Sequence, residues 1–196
     1  MKTKPAFNPF TGKFDLVLGL TIPAYEDLQF QVSSAKTNPA NVAPTWETFT
    51  ATTSEYAFSV DDEVDTFANE IPHWWKQGTT GHAHIHITTK AANSTGSNRY
   101  AKFTVTFSYA DTDEVWVEAP LTAEYTIPTG TAALTNLYLG LGDLTLTNYL
   151  IGAQIRCRIK RIAATGGTEY AGDIFITQVG IHLEKDDLGS RQEIIK

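Results

Sequence analysis

The sequence predicts an all-β protein, a jelly-roll-type β-sandwich with an extended N-terminal arm. Two observations carry this. Short stretches of apolar residues alternate with polar ones at a period of two, and turn residues interrupt them at about 8–15-residue intervals. The composition also holds 28 threonines and 11% aromatic residues, types that suit a pleated, half-buried surface. An immunoglobulin-like sandwich is the second architecture of this class. Its Cys…Trp…Cys signature is excluded, because Cys157 is the one cysteine.

The elements follow in order. Residues 1–23 are punctuated by Pro5, Pro9, Gly12 and Pro23 and read as the arm, with one short strand from Lys13 to Leu20. Residues 24–196 read as a single sandwich domain. Leu28, Phe30 and Val32 alternate with Gln29 and Gln31, and Thr45–Thr50 is the next strand. Tyr56, Phe58 and Val60 alternate with Glu55, Ala57 and Ser59. Asp61–Asp62 is a turn before Glu63–Phe67. In Gly81–Thr89, His82, His84 and His86 share one face and Ala83, Ile85 and Ile87 the other. Phe103, Val105, Phe107 and Tyr109 alternate with Lys102, Thr104, Thr106 and Ser108. Val115–Val117, Thr122–Ile127, Leu134–Leu141, Tyr149–Ile162 and Asp173–Leu183 complete the strands. Ala132–Tyr138 carries a weak helical pattern. Residues 184–196 form a polar tail or a short helix.

Charge and length set bounds. The 196 residues carry a net charge of −7 with a pI near 5.2, which argues against nucleic acid as the partner. No apolar run reaches the ~18 residues that a membrane span needs. The opening MKTKPAFNPFTGKFDLV lacks the apolar stretch of a secretory leader. One cysteine excludes an internal disulfide and a cysteine-based zinc cluster.

Four of the five histidines, His73, His82, His84 and His86, are close in sequence. Next-but-one residues of a strand stand about 7 Å apart on one face, so two imidazoles there can reach one metal ion. His84 and His86 are the candidate ligands, with His73 joining across a loop. A polar strand face, or a row of imidazoles bonded at a subunit contact, explains the same residues. Gly78, five residues and then His84-x-His86 resemble the opening of the cupin motif. Lys90 and Ala91 stand where the cupin glutamate belongs, and no histidine follows Pro128-Thr129-Gly130 closely. A second arrangement sets His84 and His86 on a threefold axis of three chains, similar to some phage fibre and spike tips that hold iron.

The remaining chemistry is sparse. The sequence has no Gly-x-Ser-x-Gly, His-Glu-x-x-His or phosphate-binding glycine loop. Asp61, Asp62, Glu63 and Asp65 form an acidic run, read as a calcium site or a solvated turn. Arg156, Arg158 and Lys160, with Arg161 beyond, form a basic stripe that either pairs with a neighbouring strand or guards an edge. Trp74 and Trp75 cannot both face one core from a regular strand. They are interface or ligand candidates together with His82, and with Tyr100 they offer stacking surfaces for a glycan.

Two stretches carry a family resemblance. Phe7-Asn-Pro-Phe-Thr-Gly-Lys-Phe-Asp15 is similar to a phrase that opens virion proteins of tailed bacteriophages. Ile71-Pro-His-Trp-Trp-Lys-Gln-Gly78, followed by His84-Ile-His86, resembles a Pro-His…Lys-x-Gly…His-x-His pattern of phage proteins. Ile87 here replaces the aromatic residue that usually follows. The resemblance implies a non-enzymatic, homotrimeric jelly-roll component of the virion, of decoration, fibre or tail type. Its arm, with Phe7, Pro9, Phe10 and Phe14, would anchor it to other capsid or tail proteins. A carbohydrate- or receptor-binding module that meets a host-surface glycan is the alternative. A cupin-like metalloenzyme is a further one.

Overall fold

The computed structural model describes residues 24–146 and 151–185, together with the backbone of 5–8 and 13–16. Within the arm, β1 (Pro5–Asn8) and β2 (Lys13–Leu16) pair antiparallel as a separate two-stranded sheet. The segment expected to be extended therefore doubles back. Phe7 and Phe14 occupy partnered positions, while Pro9 and Phe10 lie outside the described residues.

The body is built from two antiparallel sheets. The strands are β3 (Tyr25–Gln31), β4 (Thr45–Thr48), β5 (Ser54–Phe58), β6 (Glu63–Asp65) and β7 (Asn69–Glu70). Then come β8 (Gly81–Thr89), β9 (Arg99–Ala110), β10 (Val117–Ile127), β11 (Asn136–Leu144), β12 (Gln154–Ile162) and β13 (Ile174–Glu184). One sheet runs β11-β8-β13-β5-β4, with β3 also paired to β13; the other runs β10-β9-β12-β6, with β7 paired to β12.

This order defines the jelly roll. Among β5, β6 and β8–β13, successive strands switch sheets at every step except the β9–β10 hairpin. Four strands of each sheet thereby interleave into two Greek keys, an eight-stranded jelly-roll core. The topology matches the fold read from the sequence. No helix occurs among the described residues, and Ala132–Tyr138 is a turn leading into β11. None is therefore long and apolar enough to cross a membrane.

The core lies between the sheets. Phe103, Val105 and Phe107 of β9 and Ile155, Cys157 and Ile159 of β12 are buried from one side, and Ala83, Ile85 and Ile87 of β8 from the other. Phe30 meets Phe107 edge-on across the sheets at 5.9 Å. Each such fully buried phenylalanine contributes about 1.5–3 kcal/mol. Asn93 ties the β8–β9 crossover to the end of β10 by donating to the carbonyls of Ile127 and Pro128.

Three departures from the period-two reading have physical causes. Val115–Val117 and Thr122–Ile127 read as two strands, yet β10 runs unbroken from Val117 to Ile127 through Pro120. β10 is an edge strand, where a missing N–H breaks no ladder. β13 holds a bulge between Ile176 and Gln178, so Ile174 and Ile176 as well as Val179, Ile181 and Leu183 are buried. Arg161 does not continue the exposed basic stripe. It shares the inward parity of Ile155, Cys157 and Ile159 and is 1% exposed. Its guanidinium donates to the carbonyls of Phe58, Gly172 and Tyr170 and pairs with Glu169 at 2.8 Å.

Candidate functional site

The outer face of the larger sheet holds the polar cluster. Register aligns Asp27 of β3, His182 of β13, His82 of β8 and Asp143 of β11 in one cross-strand row. The next row is Gln29, Gly180, His84 and Gly140, and the next is Gln31, Gln178, His86 and Tyr138. His84 therefore has a glycine beside it on each neighbouring strand. β11 also carries a bulge between Gly140 and Gly142, so both strands flanking the histidines are irregular beside them.

The glycines decide where the His84 ring goes. A Cβ on Gly180 would stand 2.6 Å from His84 Cε1 and 2.7 Å from Nε2. The imidazole lies down over that vacant space. It becomes 1% exposed although it belongs to the outer face. Tyr138 stacks on it at 5.1 Å, His182 lies against it at 4.4 Å and 32°, and His86 meets it edge-on at 5.3 Å.

The electrostatics follow from this burial. Desolvation pushes the His84 pKa below its ordinary value of 6.5; Asp27 opposes the shift, while His182 and His86 add to it. His84 is thus a neutral imidazole at pH 7, with a lone pair to offer. Its Nδ1 is buried without a hydrogen-bond partner. Asp27 Oδ1 stands 2.9 Å from His182 Nε2, and Asp27 Oδ2 stands 3.9 Å from His84 Nε2. The shorter approach is not aligned as a hydrogen bond, so Asp27 Oδ1 is also buried and unpartnered. Asp27, His84 and His182 each present one ligand atom within 4.8 Å of the others. Beside them opens a cavity of about 610 Å³ lined by Tyr25, Glu26, Asp27, His82 and His182.

The residues singled out in sequence distribute as follows. His84 is at the centre of the cluster, and His86 touches its ring. His82 lines the cavity, with Nδ1 2.7 Å from Asp143 Oδ1 and its ring 5.8 Å from Tyr25. His73 lies elsewhere, beside Glu70 at 3.4 Å, and does not join the cluster. Trp75 is corrected from a ligand candidate to a core residue, 1% exposed, with Nε1 bonded to Thr79. Trp74 is the half-buried member of the pair, with Lys185 Nζ 5.5 Å above its ring. Tyr100 packs along Gly166 and Gly167.

The acidic run and the basic stripe account for each other. Arg158 binds Asp65 at 2.8 Å and Lys160 lies 3.3 Å from Glu63, across the β6–β12 pair. Arg156 instead sits 5.4 Å over the Trp116 ring.

Asp27 and His182 are the site residues that sequence reasoning missed. Alternation around Leu28 and Phe30 already turns Asp27 outward. His182, between Ile181 and Leu183, is turned outward in the same way. Nothing in their spacing tells that β3 and β8 both flank β13.

No protein-family model matches the chain, and no curated protein matches it. Among solved structures, it is similar to the CBM36-1 domain of a multidomain xylanase from the hindgut metagenome of Trinervitermes trinervoides. That match has 11% identity and a TM-score of 0.42, covering 80% of this chain and 96% of that one. A structure of infectious bursal disease virus Gt strain matches with 8% identity and a TM-score of 0.39, over 95% of this chain and 38% of that one. Desmodium yellow mottle tymovirus matches with 12% identity and a TM-score of 0.23, over 97% and 100%. These are distant likenesses.

Proposed function

We propose that the chain is a structural component of a tailed-bacteriophage virion: a jelly-roll subunit that assembles as a homotrimer and is anchored to capsid or tail proteins by its N-terminal arm. The observation that carries this reading is the place of the arm. The two ends of the virion-like phrase, Phe7–Asn8 and Lys13–Asp15, fall on β1 and β2, which pair with each other in a sheet of their own. An arm built in that way is a ready docking element. The body supports the same role. Its apolar surface residues include Val115, 83% exposed, Trp116 and Val117 at the start of an edge strand, where assembly partners can cover them. In this reading the chain is a scaffold and not an enzyme. The glycan-binding alternative has lost one stacking platform, since Trp75 belongs to the core.

The test has two parts. Light scattering on the purified chain should give three times its 21.5 kDa; a monomer or dimer overturns the trimer. Mass spectrometry of particles produced from the encoding genome should detect this chain as a regular constituent. Its absence from purified particles overturns the virion assignment.

A further inference from the structure

The outer-face cluster has chemistry that an assembly role does not use. We propose that Asp27, His84 and His182 bind one divalent first-row transition ion, with zinc as its resident, and that the open coordination positions face the cavity beside Tyr25 and His82. Each residue offers a ligand atom within 4.8 Å of the others, and each stands on a different strand of one rigid sheet. His84 Nδ1 is buried without a hydrogen-bond partner, and Asp27 Oδ1, also buried, faces His182 Nε2 at 2.9 Å. Gly180 gives the Cε1–Nε2 edge of the His84 ring room to lie over the sheet, for a Cβ there would collide with it. Tyr138 and His86 brace the ring from its other sides.

The donor set selects the ion. Two imidazoles and one carboxylate suit zinc, cobalt, nickel or iron(II), whereas calcium and magnesium prefer all-oxygen cages. The His84 and His182 rings now face one another, so binding requires His182 to turn. Its side chain is 38% exposed and lies at the cavity wall, whereas His84 is packed in place.

The experiment uses the full chain, stripped with EDTA and titrated with zinc alone by calorimetry. Cobalt serves as a spectroscopic probe of imidazole ligation. One ion per chain should bind, and zinc should raise the melting temperature of the wild type. Asp27→Asn and His182→Gln, conservative changes at partly exposed positions, should melt like the wild type without metal. Each should bind zinc at least about 10-fold more weakly. His73→Ala, outside the cluster, should bind normally. No saturable binding at one ion per chain overturns the site. So does an affinity unchanged in both cluster variants, or one lost in His73→Ala. None of these outcomes alters the mass or particle content that tests the virion reading.

Discussion

At the scale of single residues, the site depends on a side chain that is missing. Gly180 is buried beside His84, and any Cβ there collides with the imidazole. Gly180→Ala should therefore cost about 1–3 kcal/mol, the usual penalty of overpacking. Denaturant unfolding checks this; a variant as stable as the wild type would show that the ring does not rest where the glycine is. Cys157 is the opposite case, a residue whose quietness is set by its surroundings. Burial pushes its thiol up to about 12, with the Thr66 hydroxyl opposing the shift. At mildly alkaline pH the folded thiol stays protonated, and protonated thiols are poor nucleophiles. A disulfide reagent should leave it unmodified in the native chain and label it once guanidinium unfolds the protein. Fast native labelling would contradict the burial.

At the scale of elements, one buried cation holds several strands in register. Arg161 reaches from β12 to the end of β5 and to the loop before β13 through three carbonyls, and Glu169 accompanies it. Removing the charge leaves those acceptors without their donor. Arg161→Met should cost about 3–5 kcal/mol, as expected for a broken buried pair. Urea unfolding of the variant measures it, and a loss below 1 kcal/mol would place the anchoring elsewhere. Pro120 shows the complementary rule. β10 runs through this proline, which the position of the strand at a sheet edge makes harmless. The alternation of β9 and β12 was readable in sequence because each buries one face alone, and that of β8 because its inward face is wholly apolar. The bulges of β11 and β13 were not, since a bulge is set by what lies on the neighbouring strand.

At the scale of the whole molecule, the proposed function gives the arm and the body separate roles. Deleting residues 1–23 should leave the body folded, because the jelly-roll strands pair without β1 and β2. The shortened chain should still be a trimer but fail to enter particles. Light scattering and particle mass spectrometry report the two properties independently. Normal incorporation of the shortened chain would remove the anchoring role from the arm. A shortened chain that is monomeric or dimeric would instead give the arm a part in trimer formation.

The sequence by itself determined the fold class, the inward faces of β8, β9 and β12, and the histidine row of β8. Those are local matters, written by a period of two and by turn chemistry. Only the tertiary structure decided which histidines meet. His73 precedes the row closely in the chain and stays away, whereas Asp27 and His182 come from distant segments. Pairing of β3 and β8 with β13 brings them to His84. The buried position of Arg161 was legible in parity and masked by its charge, until its carbonyl partners were in place. The physical reason is the same in each case. Alternation fixes the direction of a side chain, but its neighbours are chosen by strand order, which depends on the packing of the whole chain.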